Sequence, residues 1–341
     1  MAIQVIERYS RQTLFSGIGK EGQAKLAESR VVIVGCGALG TIIATTLVRA
    51  GVGKVKIIDR DFIEYHNLQR QVLFDEDDVR NGLPKAIAAE RHLKRVNSTV
   101  DIEGIVVDVN YTNIEKFISG ADLVLDGLDN FETRFLLNDA CLKHRIPWVY
   151  GGAISSSGMT MNVIPGYPPC FRCFAANPPR GGILLTCDTA GVIGPAPFVV
   201  GSLQSVEALK ILVGSENINQ RLILIDVWQG GFHQLEIKAR DDCPACGGKY
   251  EFLESKFGLK TTVLCGQNAV QVLSTKLGGI SLKDLGVRLE SIGAKVTGNE
   301  FMLRFALNNH EMVVFPDGRA ILRNTTDELL ARGLYSKYLG T

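Results

Sequence analysis

The chain has 341 residues, enough for two domains or for one large domain with an appendage. Its 37 Lys and Arg residues nearly balance its 36 Asp and Glu residues, so no overall charge favours nucleic acid or an anionic membrane as a partner. The N-terminus lacks the apolar core of a signal peptide, and no uninterrupted apolar run reaches the ~18 residues of a membrane span. We therefore expect a cytoplasmic protein, whose eight cysteines serve metal binding or catalysis and not disulfides.

A glycine-rich loop follows the first buried-strand pattern of the chain. The strand pattern covers 30–34, the loop reads Gly-Cys-Gly-Ala-Leu-Gly, and an apolar helical pattern follows at 41–50. This is GxGxxG in the strand–turn–helix setting that it requires. The next strand pattern, 54–58, leads into Asp59, about 20 residues beyond the loop, where an acid meets a ribose hydroxyl. The pattern predicts a nucleotide site, and the loop alone would favour NAD or FAD.

Polar and cationic side chains after the ribose acid favour a triphosphate over a dinucleotide. They are Asn67, Arg70 and Lys85, although a single Arg or Lys is more often a solvated surface charge. A further buried-strand pattern, 121–125, precedes Asp129, and strand ends in an open α/β sheet face the ligand crevice. Asp129 is therefore placed to hold Mg²⁺ on phosphate oxygens, to cap the next helix, or to do both.

Two CxxC pairs could supply four sulfur ligands to one zinc ion. The pairs are Cys170 with Cys173 and Cys243 with Cys246, each in turn-forming sequence rich in Pro or Gly. The alternatives are four unrelated thiols or two redox pairs, although a redox pair normally opens a helix after a strand. We expect a structural zinc site that joins distant parts of the chain.

These motifs belong to an ordered series that runs through roughly residues 5–250 and resembles the MoeB/ThiF family, bacterial relatives of ubiquitin-activating enzymes. The series consists of RYSRQ at 8–12, GCGALG at 35–40, IIDRD at 57–61, HNLQRQ at 66–71, GLPK at 82–85, GLDN at 127–130 and the two CxxC pairs. The resemblance implies a Rossmann-like, doubly wound α/β sheet. It also implies an enzyme that uses MgATP to adenylate the C-terminal carboxylate of a small ubiquitin-like protein ending in Gly-Gly, with release of pyrophosphate.

The resemblance further implies a role for individual residues. Arg11 would act on the ATP of the partner subunit in a homodimer, and Asp59 would bind the ATP ribose. Ala38 departs from the pattern, because many members carry glycine there. Asp129 would hold Mg²⁺, and Arg11, Arg70, Lys85 and Asp129 would contribute to catalysis. The residues implied to bind the nucleotide are Gly35, Gly37, Ala38, Asp59, Asn67, Arg70, Lys85, Asp129 and Asn130.

Cys187 matches a position that, in relatives with a thiol step, accepts the activated carboxylate or joins in sulfur transfer. The sequence shows no feature that would lower the pKa of this thiol, so a buried packing cysteine is the alternative. Cys36 and Cys141 are interpreted as packing residues. The helical pattern at 201–212 is either core or part of the docking surface for the carrier protein.

Residues 255–341, which we call the C-terminal module, lie beyond the resemblance. Their pattern predicts a small α+β domain after an adenylation domain at 1–254. Cys265 there is a reactive thiol or, by base rates, a structural residue. We expect an interaction domain for the carrier protein, a sulfur donor or a downstream enzyme. The predicted elements are strands at 262–265, 301–306, 311–315 and 320–323, helices at 281–292 and 327–337, and a plain hairpin turn at 316–319.

The leading hypothesis is therefore an adenylyltransferase for thiamine, molybdopterin or thiolated-tRNA biosynthesis, or for a ubiquitin-like conjugation. A non-catalytic nucleotide-binding regulator of the same fold is the alternative. Retention of Arg11, Arg70, Lys85 and Asp129 argues against a regulator, which would not need all four charged side chains. An NAD-dependent oxidoreductase would leave these cations and the paired cysteines unexplained.

Overall fold

The computed structural model describes residues 7–177, 190–254, 261–264, 268–272, 280–307 and 310–339. Within these ranges the chain forms an eight-stranded sheet followed by a six-stranded sheet. The first sheet has the order β3-β2-β1-β4-β5-β6-β7-β8. Its strands are β1 (Arg30–Val34), β2 (Lys54–Asp59), β3 (Asp101–Val106), β4 (Leu123–Asp126), β5 (Trp148–Ile154), β6 (Ser157–Val163), β7 (Leu222–Asp226) and β8 (Gly231–Leu235).

The first five strands are parallel and place the nucleotide loop at the centre of the sheet. β1 pairs in parallel with both β2 and β4, so the chain reverses its direction of sheet growth beside β1. β6, β7 and β8 extend the sheet by antiparallel pairing. In a doubly wound sheet, ligands bind at such a reversal, outside the carboxyl ends of the strands.

Helices cover both faces of this sheet. Val31 and Ile33 of β1 contribute to one hydrophobic cluster, whereas Val32 and Val34 contribute to the cluster on the opposite face. This layering confirms the predicted doubly wound architecture. The helices are α1 (Ser10–Leu14), α2 (Gly19–Glu28), α3 (Ala38–Ala50), α4 (Glu76–Arg80), α5 (Lys85–Val96), α6 (Ile114–Ile118), α7 (Phe131–His144), α8 (Phe171–Phe174) and α9 (Pro195–Val213), with a 3₁₀ turn at Tyr65–Asn67.

α9 is long and apolar enough to cross a membrane by length and composition alone. In this structure it packs on the sheet, with Val200 and Ala208 in the hydrophobic core. Gln204 of α9 is fully buried and donates a 2.9 Å hydrogen bond from Nε2 to the carbonyl oxygen of Asp126. The buried face of the helix therefore belongs to the core, as one interpretation of the 201–212 pattern predicts, whereas the docking role stays a prediction.

The C-terminal module contains an antiparallel sheet in the order β11-β12-β13-β14-β10-β9. The predicted α+β pattern is confirmed, but β10 and β11 are not among the predicted strands. Two helices pack on the sheet and share its hydrophobic core. Cys265 lies outside the described residues. The elements are β9 (Thr261–Leu264), β10 (Ala269–Val272), α10 (Leu282–Ser291), β11 (Lys295–Gly298), β12 (Leu303–Leu307), β13 (His310–Val314), β14 (Ala320–Arg323) and α11 (Glu328–Leu339).

Candidate nucleotide site

The glycine-rich loop between β1 and α3 combines a tightly packed glycine with an open one. Gly35 has φ +93°, and a Cβ atom there would lie 2.5 Å from the carbonyl carbon of Gly127. At Gly37 the nearest atoms of the described chain would be 3.9 Å from an added Cβ. Gly35 is therefore required by the fold, whereas Gly37 leaves space on the outer side of the loop, as close approach of a phosphate requires.

A cavity of about 660 Å³ opens at the carboxyl ends of the parallel strands, next to this loop. Its volume lies within the range of small-molecule sites. The cavity brings together every residue that the resemblance assigns to the nucleotide. They are Gly35, Gly37, Ala38, Asp59, Asn67, Arg70, Lys85, Asp129 and Asn130.

Asp59 is the last residue of β2 and is buried beside the loop. Its Oδ2 accepts a 2.5 Å hydrogen bond from the backbone N–H of Cys36, and its Oδ1 accepts one of 2.7 Å from the N–H of Asp61. Burial raises the pKa of Asp59, and neighbouring Asp61 adds to this, whereas Lys85 opposes it. The backbone contacts hold the carboxylate in one orientation, as recognition of a ribose requires.

Lys85 is the first residue of α5 and pairs with Asp61, which is not among the residues expected at the site from the sequence. Its Nζ lies 3.1 Å from Oδ2 of Asp61. Burial disfavours the ammonium form of Lys85, but Asp61 and Asp59 hold its pKa above the ordinary value. Burial likewise favours neutral Asp61, but Lys85 and Arg60 lower the pKa of Asp61 to about 2. Lys85 therefore enters the site as a cation.

Arg60 and Asp108 also line the cavity and form an ion pair of 2.7 Å. Neither residue is among those expected at the site from the sequence. Arg60 stands inside the IIDRD segment quoted for the resemblance, so its position directly after the ribose acid was an available signal. Asp108 follows β3 and carries no motif. A second cation therefore lies beside the ribose acid.

Asn67 ends the 3₁₀ turn after β2, and Arg70 lies in the turn that follows it. Asn67 is buried, and its Oδ1 accepts a 2.9 Å hydrogen bond from the backbone N–H of Glu64. The side chain of Glu64 in turn accepts from the backbone of Asn67, which completes a reciprocal cap. Nη1 of Arg70 donates a 2.8 Å hydrogen bond to the carbonyl oxygen of His66. Local backbone contacts thus orient both side chains at the cavity.

Two roles were possible for Asp129, namely binding of Mg²⁺ and capping of the next helix, and the structure gives the capping role to Asn130. Asn130 is the N-cap of α7, and its Oδ1 accepts a 2.9 Å hydrogen bond from the N–H of Thr133. Asp129 is exposed, lines the cavity and accepts a 3.3 Å hydrogen bond from Nδ2 of Asn130. Because the neighbour caps the helix, the Asp129 carboxylate is available to a cation.

The two remaining predicted catalytic residues are Arg11 and Cys187. Arg11 is exposed on α1 and is not among the residues that line the cavity within one chain. Cys187 lies outside the described residues. Cys36 and Cys141 are fully buried, which agrees with their interpretation as packing residues.

The four cysteines of the CxxC pairs form a compact cluster, which we call the four-cysteine cluster. Their sulfur atoms lie within 4.8 Å of one another, with Cys170 and Cys243 separated by 3.6 Å and Cys173 and Cys246 by 3.6 Å. A tetrahedral zinc site with Zn–S bonds of about 2.3 Å requires S···S separations of about 3.8 Å. Nδ2 of Asn138 lies 3.8 Å from the sulfur of Cys170. The cluster could therefore hold a zinc ion.

The fold and the cavity define an α/β protein of the doubly wound, nucleotide-binding type, with Arg60 and Lys85 as cations at the cavity. The ThiF family model matches residues 9–245, and the chain belongs to the ThiF family. A relative from Bacillus subtilis, named sulfur carrier protein ThiS adenylyltransferase, is 45% identical over 338 residues, which span 98% of this chain and 99% of that protein.

Two further similarities each cover about 70% of the chain. The SAMP-activating enzyme E1 of Haloferax volcanii is 38% identical over 243 residues, which span 71% of this chain and 89% of that protein. The crystal structure of E. coli MccB with ATP has a TM-score of 0.62 at 26% identity, over 70% of this chain and 74% of that one. The chain is an adenylyltransferase of the ThiF family, and the regulator and oxidoreductase hypotheses are set aside.

Proposed function

We propose that this enzyme uses MgATP to adenylate the C-terminal carboxylate of a small ubiquitin-like sulfur carrier that ends in Gly-Gly. The observation that carries the proposal is the single cavity that joins the glycine loop, a ribose acid, buried cations and an available carboxylate. The name of the Bacillus subtilis relative supports a ThiS-like carrier. In the reaction, a carboxylate oxygen of the carrier attacks the α-phosphorus, and the bond to the β-phosphate oxygen breaks, so that pyrophosphate leaves.

Each residue of the cavity has its own role in this reaction. Asp59 accepts hydrogen bonds from the ribose, and the backbone from Gly35 to Ala38 approaches the phosphates at the start of α3. Lys85 and Arg70 offset the charge that accumulates on the phosphates as the carboxylate attacks, and Asn67 donates hydrogen bonds to them. Preorganised cations of this kind contribute most where charge develops in the transition state.

Asp129 would hold Mg²⁺ at the phosphates. A carboxylate oxygen suits this hard cation, and Asn130 relieves Asp129 of the capping role. When bound, the ion would neutralise phosphate charge and help to orient the polyphosphate. Burial lowers the pKa of Lys85, but Asp61, Asp59 and, more weakly, Asp129 raise it above the ordinary value. Asp129 therefore interacts electrostatically with the buried cation.

Five further assignments complete the proposal. The enzyme is a homodimer, in which Arg11 of one subunit reaches the phosphates in the other. The four-cysteine cluster holds a structural zinc ion. Cys187 takes part in sulfur transfer and not in adenylation. The chain divides into an adenylation domain at 1–254 and the C-terminal module at 255–341, and it works in the cytoplasm.

The test is carrier-stimulated ATP–pyrophosphate exchange with purified Gly-Gly carriers. We expect exchange with a ThiS-like carrier and a loss of about 100-fold or more in Asp129→Ala. Asp101→Ala is the matched control, because Asp101 is an exposed acid paired at 2.8 Å with Lys54 on the surface. The proposal is wrong if no Gly-Gly carrier stimulates exchange, or if Asp129→Ala exchanges as fast as the control.

Cys187 requires a separate assay of sulfur transfer to the activated carrier. The Cys187→Ser variant should keep wild-type exchange and lose transfer. Unchanged transfer in this variant would remove the thiol from the proposed reaction.

A further inference from the structure

The C-terminal module packs directly on the chain segment that carries the ribose acid. This segment, residues 59–67, runs from the end of β2 to the 3₁₀ turn. Its Phe62 is buried, and the guanidinium groups of Arg304 and Arg323 lie 5.2 Å and 4.8 Å from the centre of its ring. Phe62 shares a small hydrophobic cluster with residues of the module, namely Ala269, Met302, Val313, Phe315 and Ile321.

Arg319 reaches from the module to the backbone beside the ribose acid. It is the last residue of the β13–β14 turn, is 1% exposed and stacks on Phe315, with its Cζ atom 3.6 Å from the ring centre. Its Nη2 donates a 2.5 Å hydrogen bond to the carbonyl oxygen of Arg60, the residue after Asp59. A buried guanidinium is costly without such a partner, so the contact is a specific feature of the interface.

Arg323 makes a second contact further along the same segment. Its Nη2 lies 2.6 Å from Oε1 of Glu64, and both side chains are about one quarter exposed. Glu64 caps the 3₁₀ turn through its side chain, and its N–H donates to Oδ1 of Asn67. Arg323 therefore holds the residue that orients Asn67 at the cavity.

The charge of Arg319 also acts on the acid that pairs with Lys85. Burial raises the pKa of Asp61, but Lys85, Arg60 and Arg319 together lower it to about 2. A charged Asp61 keeps Lys85 in place through their 3.1 Å contact. The two arginines of the module are thus linked to three residues of the proposed ATP site, namely Asp59, Asn67 and Lys85.

We propose that Arg319 and Arg323 are positioning residues for ATP, through which the C-terminal module holds segment 59–67 in its nucleotide-binding conformation. The inference rests on the proposed assignment of Asp59 and Asn67 to ATP. It gives the module a role in the adenylation step, beyond that of an interaction domain. A module that merely packs on its neighbour would affect the stability of the chain and leave ATP affinity unchanged.

The test measures the KM for ATP and kcat in carrier-stimulated exchange, with the Kd of ATP from calorimetry, on the full chain. Arg319→Met should raise the KM and Kd for ATP by about 5- to 10-fold, since a charge-assisted hydrogen bond is lost, and leave kcat at saturating ATP within about twofold. Arg319→Lys keeps a donor and should recover most of the affinity. Arg323→Gln, at a site that is about one quarter exposed, should raise the KM by about threefold.

Arg288→Met is the matched control. Nη2 of Arg288 donates a 2.6 Å hydrogen bond to the carbonyl oxygen of Tyr338 within the module, away from segment 59–67. This variant should keep the wild-type KM for ATP. The positioning role is wrong if Arg319→Met and Arg323→Gln bind ATP as the wild type does, or if Arg288→Met weakens ATP binding equally. Asp59→Ala separates the two proposals, because unchanged ATP binding in that variant overturns the site assignment itself.

Discussion

At the scale of single residues, two of the cations that line the cavity are paired with acids. Lys85 contacts Asp61, and Arg60 contacts Asp108. Acidic partners keep the pKa of buried Lys85 above its ordinary value despite burial, so the lysine is charged throughout the physiological range. Phosphate oxygens would compete with Asp61 for this cation without a change in protonation. The acids therefore keep buried cations ready for a polyanion and reduce the desolvation cost of its binding.

The two loop glycines allow a paired prediction. Gly37→Ala should fold as the wild type does and raise the KM for ATP by at least about tenfold, because the new methyl group occupies the approach path of the phosphates. Gly35→Ala should instead lower the free energy of unfolding by about 1–3 kcal/mol, since φ is +93° and the Cβ would meet Gly127. Thermal melts and exchange kinetics check both.

Gly37→Ala and Gly35→Ala serve as controls for each other, because they make the same change two positions apart. A wild-type KM in Gly37→Ala would show that the phosphates do not approach the outer side of the loop. Wild-type stability in Gly35→Ala would contradict the close packing of the loop on Gly127.

Residue types at strand ends made much of the site predictable, because the topology of a doubly wound sheet brings such ends together. Asp59 and Asp129 were assigned on this basis, and both line the cavity. The capping role could not be divided between Asp129 and Asn130, since Asp and Asn cap equally well. The role of Arg319 could not be predicted from the sequence, which shows only a hairpin turn there. Its partner Arg60 is distant in sequence and follows a strand of the eight-stranded sheet.

At the scale of elements, the four-cysteine cluster brings together the segment between β6 and β7 and the segment after β8. Cys170 and Cys173 lie at α8, after β6, and Cys243 and Cys246 follow β8. Four thiols without an ion offer few favourable contacts to one another, whereas zinc converts them into strong ligands. Bound zinc would therefore link these two segments and stabilise their connection.

Removal of one ligand tests this structural role. Cys246→Ser should lower bound zinc from about one ion per chain and reduce the free energy of unfolding by about 2–4 kcal/mol, because the thiolate set is incomplete. Metal analysis and chemical denaturation measure the two effects. Exposure of Cys246 should also let a chelator remove the ion and lower the Tm of the wild type.

Cys141→Ala provides the comparison for Cys246→Ser. Cys141 is a fully buried cysteine outside the cluster, so its loss should reduce stability and leave the zinc content unchanged. Zinc content that is low in both variants, or normal in both, would contradict the assignment of the metal to the cluster.

The predictability of an element depended on its burial. β1 is a run of Val and Ile with four of its five residues buried, and its apolar pattern was clear from the sequence. β11 (Lys-Val-Thr-Gly) lies at the edge of the second sheet with mostly exposed side chains, so neither periodicity nor hydropathy marked it. β10 is fully buried but only four residues long, which is too short for a reliable pattern.

At the scale of the whole molecule, the position of Arg11 bears on assembly. The residue lies on short α1, is exposed and does not line the cavity of its own chain. An arginine that contributes to catalysis from this position must therefore reach a cavity in another subunit. In a symmetric dimer, each cavity would then combine Lys85 and Asp129 of one chain with Arg11 of the other.

Mixed dimers test this arrangement directly. Arg11→Ala and Asp129→Ala should each abolish exchange, but they damage different chains of the same composite site. After equal mixing and re-equilibration of subunits, about half of the dimers carry one chain of each kind, and each of these has one intact site. Exchange should therefore return to about one quarter of the wild-type rate per subunit.

Lys85→Ala mixed with Asp129→Ala supplies the control, because both residues line the cavity of the same chain. Each mixed dimer then has one site without Lys85 and one without Asp129, so no exchange should return. Recovery in the Arg11 mixture alone requires that Arg11 act across the interface. An Arg11→Ala and Asp129→Ala mixture that stays inactive, although native mass spectrometry shows mixed dimers, would place Arg11 in its own subunit's site or outside catalysis.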